Sequence, residues 1–175
     1  MGEYLQILGN SFLVRKILYT LVVVSLSVVC NFASAETFIA RVIGISDGDT
    51  MTVLINEHEQ IKVRLAEIDA PEKKQPYGQR SKQSLSNMCY QQTAVIEQID
   101  IDRYGRTVGK VLCGQVNANA EQIRKGMAWV YRKYLHDHSL LLLEQEAQVS
   151  RVGLWGDREP VPPWEWRKHS RHKIE

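Results

Sequence analysis

The sequence predicts an α+β domain, mainly β, in which five strands form a small Greek-key barrel and three helices flank it. Three observations predict this class. Short apolar runs alternate with polar residues at the period of two that marks half-buried strands. Turn-forming pairs separate those runs at hairpin spacing. Helical patterns appear only after the third strand and after the fifth, so strands and helices are grouped rather than interleaved as in a parallel α/β sheet.

Thr37–Ser46 is β-branched and apolar, Asp47-Gly48 supplies a turn, and Thr50–Ile55 resumes the strand. A second turn near Asn56–Glu59 leads into Gln60–Leu65, where Ile61, Val63 and Leu65 alternate with Lys62 and Arg64. Ala70-Pro71 interrupts the pattern, because the residue before proline avoids the helical region. Tyr77–Tyr90 then reads as a helix with Tyr77, Ser81, Ser84, Leu85 and Met88 on one face. Thr93–Gln98 and Arg106–Leu112 are two further strands. Asn117 caps a helix through Lys125 that stops at Gly126, and Ser139 caps another to about Arg151, ending at Gly153. Three strands, a helix, two strands and two helices in so short a domain point to a partly open barrel of the OB type. Residues 157–175, rich in Pro, Trp and basic side chains, have no clear period and read as a tail laid over the domain or partly loose.

The chain has 175 residues, 44% hydrophobic and 24% charged, with a net charge of +2. That composition supports one packed domain and excludes a disordered or collagen-like chain. It also excludes a global positive field as the means of holding nucleic acid, so any basic surface is local.

Residues 1–35 stand apart. Arg15 and Lys16 precede an uncharged apolar run from Ile17 to Cys30, followed by Ala33-Ser34-Ala35. A basic flank, a short apolar run and small residues describe a secretory signal peptide cleaved after Ala35. The run falls short of the ~20 residues of a membrane span, although an uncleaved anchor is the competing reading. The expected organisation is therefore a signal peptide at 1–35, the barrel domain at 36–156 and the tail at 157–175. Export places the mature chain in the periplasm or outside the cell, without a membrane segment. Loss of residues 1–35, which hold Glu3, Arg15 and Lys16, lowers the net charge from +2 to +1. Cys89 and Cys113 remain, and either one disulfide or two buried thiols fits an exported chain with an even pair.

Three clusters of charged residues fall near strand ends. The first is Asp47-Gly48-Asp49-Thr50, the second Arg64-Leu65-Ala66-Glu67-Ile68-Asp69-Ala70-Pro71-Glu72, and the third Asp102-Arg103-Tyr104-Gly105-Arg106. Taken singly, each is an ordinary turn or a solvated strand end. Together they carry a chemistry. Asp49 and Asp69 on neighbouring strands offer hard oxygen ligands to a cation such as calcium, whereas no Cys/His cluster offers a zinc site. Arg64 and Arg106 are permanently charged forks suited to phosphate. Glu72, close to Asp69, is placed to orient or deprotonate a water. A cation, two arginines and a carboxylate are what in-line attack on a phosphodiester requires.

DGDT at 47–50, RLAEIDAPE at 64–72 and DRYGR at 102–106 resemble the thermonuclease family of staphylococcal type. Val116-Asn117, GMAWVY at 126–131 and Gly153-Leu154-Trp155 extend the likeness from about Phe38 to Trp155, and PPWEWR at 162–167 resembles the end of exported Gram-negative and plasmid members. The resemblance implies a five-stranded OB barrel with three helices and a Ca2+-dependent nuclease acting on DNA and RNA with little sequence specificity, leaving 3′-phosphate ends. It implies Asp49, Asp69 and the carbonyl of Ala70 as calcium ligands. It implies Glu72 as the group that positions the attacking water, and Arg64 and Arg106 as the phosphate-binding arginines. Arg103, Tyr104 and Tyr131 match residues that contact the bound nucleotide. No stable protein partner is expected, and the chain reads as a monomer. The competing class is a non-catalytic nucleic-acid-binding OB module, in which some of Asp49, Arg64, Asp69, Glu72 and Arg106 would be missing.

His136-Asp137-His138 reads as the loop before the last helix rather than a metal motif. Trp155, Trp164 and Trp166 read as packing residues, and Arg167, Lys168, Arg171 and Lys173 as a basic tail that adds affinity for nucleic acid or solubility.

Overall fold

Strand β1 (Thr37–Ile45) pairs antiparallel with β2 (Thr50–Ile55), and β2 with β3 (Glu59–Leu65), forming the expected meander. This computed structural model describes residues 36–172 of the chain, so the expected signal peptide lies outside the described residues. A short strand β4 (Ile68–Asp69) follows β3, and two long strands, β5 (Thr93–Ile101) and β6 (Thr107–Cys113), complete the set. The sheet order is β3-β2-β1-β5-β6, and a parallel pairing of β3 with β6 joins the two edges. The expected five-stranded barrel is therefore present, and it is closed rather than partly open. Closure removes both exposed edges. Irregular registers at Val42/Gly44 in β1 and at Gln98/Asp100 in β5 are bulges that bend these strands around the barrel. Gly109 sits opposite Gln98, where a Cβ would come within 2.7 Å of the Glu97 carbonyl oxygen.

Alternation fills the interior. Val42, Met51, Val53, Val63, Leu65, Ile96 and Val111 are buried inside the barrel, while Lys62, Glu97 and Leu112 on the same strands are exposed. Helix α1 (Gly78–Cys89) closes one side of this core with Ser81, Leu85 and Cys89. Cys89 and Cys113 form a disulfide with a Cα–Cα separation of 5.2 Å, which ties the end of α1 to the end of β6 and resolves the two readings of this pair.

A two-residue strand β7 (Val116–Asn117) leads into α2 (Ala118–Arg124), where Asn117 Oδ1 accepts the Ala120 N–H at 3.0 Å as the expected cap. Gly126, at φ 60°, ends the turn, and β8 (Trp129–Val130) then pairs with β4. Helix α3 (Ser139–Val149) is capped differently from expectation. The Asp137 carboxylate takes both the Ser139 N–H at 3.0 Å and its hydroxyl at 2.6 Å, so the capping side chain lies two residues earlier than Ser139. The His136-Asp137-His138 segment is thus a helix-entry loop.

The C-terminal segment departs most from its aperiodic reading. Residues Pro163–His172 form a fourth helix, α4, with proline in its first turn, where the missing N–H costs nothing. Interactions outside the helix fasten it, two of them near its start. Gln75 Nε2 donates to the Val161 carbonyl at 2.6 Å, and Trp164 packs edge-on to Trp129 with centroids 5.8 Å apart. Tertiary packing rather than an apolar period supports this helix. Among the described residues no helix is long and apolar enough to cross a membrane.

Candidate active site

The turn joining β1 to β2 carries the first acidic residue. Asp49 N–H donates to Asp47 Oδ1 at 3.1 Å, and the Asp49 carboxylate turns inward. Its Oδ1 accepts the Thr50 hydroxyl at 2.9 Å and its Oδ2 the Ala70 N–H at 3.0 Å, so both oxygens have fixed directions. A side chain at Gly48 would run into Ser81 Oγ and the Ala70 Cβ, which is why the turn passes this point as glycine.

The β2–β3 register places Arg64 opposite Thr50. Its Nη2 lies 3.0 Å from Asp49 Oδ2 and 2.9 Å from Asp69 Oδ1, bridging the two carboxylates. Nη1 donates to the Ile68 carbonyl at 3.0 Å, which locks the fork in one orientation. Asp69 is held by β4 against β8 and is only 1% exposed. Glu72 follows Pro71 on the outgoing loop, and its N–H donates to Gln75 Oε1 at 3.0 Å. The carboxylates of Asp69 and Glu72 share Arg167 from α4. Its Nη1 lies 2.7 Å from Glu72 Oε1 and 3.2 Å from Asp69 Oδ1, and its Nη2 lies 2.7 Å from Asp69 Oδ2.

Asp49, Arg64, Asp69 and Glu72, with Arg167, therefore lie in one cluster, and Arg106, expected to join them, is bonded to Asp102 instead. Three carboxylates meet two guanidiniums, so ionised Asp49, Asp69 and Glu72 leave an excess of negative charge beside an already paired site. Burial, with the neighbouring Asp49 carboxylate, pushes Asp47 up to about 6. Burial raises Asp69 as well and Asp49 adds to it, while the Arg167 hydrogen bonds work against the rise. For Arg64, burial alone would lower the pKa, but the charges of Asp49 and Asp69 outweigh it and hold the guanidinium charged.

Asp49 and Asp69 present hard oxygens, the donor type of calcium and magnesium rather than zinc or copper. Among the described residues no group of three or more His, Cys, Asp or Glu side chains is gathered as a metal cage. A cation here would draw on these two carboxylates, backbone oxygen and water, which is a normal set for a hard divalent ion. Ala70, expected to contribute its carbonyl, lies against Asp49 through its N–H.

Arg103, Tyr104 and Arg106 form a second group on the β5–β6 hairpin. Arg106 Nε lies 2.7 Å from Asp102 Oδ2, and its N–H donates to Asp102 Oδ1 at 3.0 Å. Burial would raise the Asp102 pKa, but the hydrogen bonds from Arg106 overcome it and hold the carboxyl low. Arg103 and Arg106 both lie over the exposed Tyr104 ring, at 4.8 and 5.5 Å from its centroid. Arg106 bonds to Asp102 rather than to the Asp49–Asp69–Glu72 cluster. It directly precedes β6, whose parallel register with β3 sets Val108, two residues further on, opposite Arg64.

Tyr131 is fixed by its N–H to the Glu67 carbonyl at 2.8 Å. Trp164 of α4 stacks on its ring with centroids 5.8 Å apart and an interplanar angle of 5°. Of the three tryptophans read as packing residues, Trp155 and Trp164 do pack, on Trp129.

Four residues support the site without having been given a part in it by the sequence: Gln75, Ser81, Gln122 and Arg167. Ser81 Oγ donates to the Met127 carbonyl at 2.6 Å, and Gln122 Nε2 donates to the Ser81 carbonyl at 3.1 Å, so α1 and α2 are joined behind the turn at Gly48. Polar residues on helices carry no local mark of such a role. Arg167 did carry one, since it ends the PPWEWR segment.

Residues 62–157 match the family described as staphylococcal nuclease homologue. A protein of Haemophilus influenzae named an uncharacterized endonuclease is 43% identical over 157 residues, 90% of this chain and 88% of that protein. A Shigella flexneri protein named micrococcal nuclease is 41% identical over 77% of this chain and 83% of its own length. The Escherichia coli protein named ParB is 42% identical over 76% of this chain and 81% of its own.

Proposed function

This chain belongs to the staphylococcal nuclease homologues, a family of nucleic-acid hydrolases, and from that premise we propose that it is an exported, calcium-dependent nuclease. It hydrolyses phosphodiester bonds of DNA and RNA with little sequence preference and leaves 3′-phosphate ends. The observation that carries the reading is the Arg64 fork, 2.9 Å from Asp69 and 3.0 Å from Asp49, with Glu72 on the loop just beyond Asp69. Buried carboxylates, a locked guanidinium and a partly exposed acid in one cluster are the parts of a phosphoryl-transfer site.

Asp49 and Asp69, with the Ala70 carbonyl, would hold calcium, and the ion would supply positive charge to the phosphate. Glu72 accepts a hydrogen bond from the attacking water and aligns it with phosphorus. Arg64 and Arg106 contact non-bridging oxygens, and their bonds strengthen as charge builds toward the pentacoordinate transition state. Departure of the 5′-oxygen leaves the 3′-phosphate. Arg103, Tyr104 and Tyr131 hold the nucleotide by charge and ring contact, which explains weak base preference. Export draws its support from the Arg15-Lys16 flank, the apolar run and Ala33-Ser34-Ala35, and a disulfide suits an oxidising compartment.

The test is cleavage of single-stranded DNA and of RNA by the purified protein, with calcium and with excess chelator, beside Glu72→Gln and Arg106→Ala. Calcium-dependent cutting that collapses in both variants is the expected result. Binding of DNA without cutting at any calcium concentration would replace this reading by the non-catalytic module.

A further inference from the structure

The Glu72 carboxylate has a weak claim to a fixed position by itself. Its side chain is 42% exposed and follows a proline on a loop, with three side-chain torsions to restrain. Among the described residues it bonds to Arg167, at 2.7 Å. That guanidinium is well anchored. Its two nitrogens grip both oxygens of Asp69, which is 1% exposed, in the bidentate geometry that fixes direction as well as distance.

The helix that presents Arg167 is held at two further points. Trp164, three residues earlier, stacks on Tyr131 and meets Trp129 edge-on. Gln75 clamps both partners: its Oε1 takes the Glu72 N–H at 3.0 Å, and its Nε2 reaches the Val161 carbonyl at 2.6 Å. A tail serving only solubility or diffuse attraction would point its arginine to solvent. Here the C-terminal helix and the Glu72 loop are one bonded unit.

We propose that Arg167 is a positioning residue of the nuclease reaction: by spanning Asp69 and Glu72 it holds the Glu72 carboxylate in the direction that faces the attacking water. This rests on the role given to Glu72 above. A displacement of about 1 Å in an orienting group costs about 100-fold in rate, which sets the size of the effect.

The experiment is a double-mutant cycle on the full chain with Arg167→Ala, Glu72→Gln and the pair, with Lys168→Ala on the same helix as control. Steady-state cleavage of a short oligonucleotide is read as kcat and KM separately. Arg167→Ala is expected to lower kcat by about 100-fold and to change KM by less than about 3-fold. Added to Glu72→Gln, it is expected to cost less than about 3-fold more, because the residue acts through Glu72. In chelator, without turnover, denaturant unfolding of the four proteins is expected to show a coupling of about two- to five-fold in the unfolding constant, the range of a partly exposed pair.

Unchanged kcat in Arg167→Ala overturns the proposal, as does an additive loss in the double mutant. A rise in kcat overturns it too and makes the helix an inhibitory strap. If the wild type does not cut at all, the nuclease reading itself fails, whereas a cutting wild type matched by Arg167→Ala removes only the positioning role.

Discussion

Gln122 Nε2 lies 2.6 Å from the carbonyl oxygen of Gly48, so a fully buried side chain of α2 supports the turn that carries Asp49. The same nitrogen reaches the Ser81 carbonyl, which lets one amide tie two helices to the barrel loop behind the carboxylates. Gln122→Leu keeps the volume and leaves the Gly48 carbonyl without this donor. The expected loss is about 1–3 kcal/mol of stability in urea unfolding, with slower cleavage as the turn loosens. Unchanged stability and rate would mean that the turn holds itself.

Arg64 bridges two carboxylates through one nitrogen and locks itself through another. Arg64→Ala is expected to lower kcat by about 100- to 1000-fold, the range for loss of one preorganised charge donor. Arg64→Lys is expected to recover little, since a point charge cannot hold the bridge and the Ile68 carbonyl together. Full recovery by lysine would show that charge alone matters there.

Asp102 holds Arg106 by a backbone and a side-chain bond, and it also accepts the Tyr104 N–H at 2.9 Å. Asp102→Ala is expected to reduce cleavage about tenfold by releasing the guanidinium, less than Arg106→Ala does. The double mutant should be no slower than Arg106→Ala alone, a comparison made by single-turnover kinetics.

Asp47 titrates near 6 in the folded chain against 3.8 for its ordinary value. The folded state thus binds the proton more tightly, and this contribution to stability is fully present below about pH 4 and lost as pH rises through about 6. Its size is about 1–3 kcal/mol. In chelator, Asp47→Asn should be more stable than the wild type at pH 8 and should flatten the stability profile between pH 4 and 6. Parallel profiles would place the raised group elsewhere.

The Cys89–Cys113 bond closes a separation of 24 residues between α1 and β6. Reduction, or the Cys89→Ala/Cys113→Ala pair, is expected to lower unfolding stability by about 3 kcal/mol without changing the cleavage products. Guanidinium titrations with and without reductant measure it.

Much of this protein is written locally. Alternation along 37–65 and 93–113 marks the strands because a barrel wall has a wet and a dry side, and period two records that directly. Asn117 and Gly126 mark the ends of α2 because capping is a matter of a few adjacent bonds, whereas α3 stops at Val149 with Arg151, not Gly153, as the left-handed residue that follows it. Asp49, Arg64, Asp69 and Glu72 were legible as a group because three motifs kept their order and spacing. What only the tertiary structure decided are relations across long stretches of chain. The parallel β3–β6 pairing that closes the barrel joins strands with a helix and two strands between them. The helix at 163–172 owes its place to Gln75, Tyr131 and Trp129, none of them near it in sequence. Arg167 meets Asp69 across 98 residues, and Gln122 meets Gly48 across 74. A side chain's reach of a few ångströms becomes decisive only once folding has brought its partner alongside, and no local pattern encodes that approach.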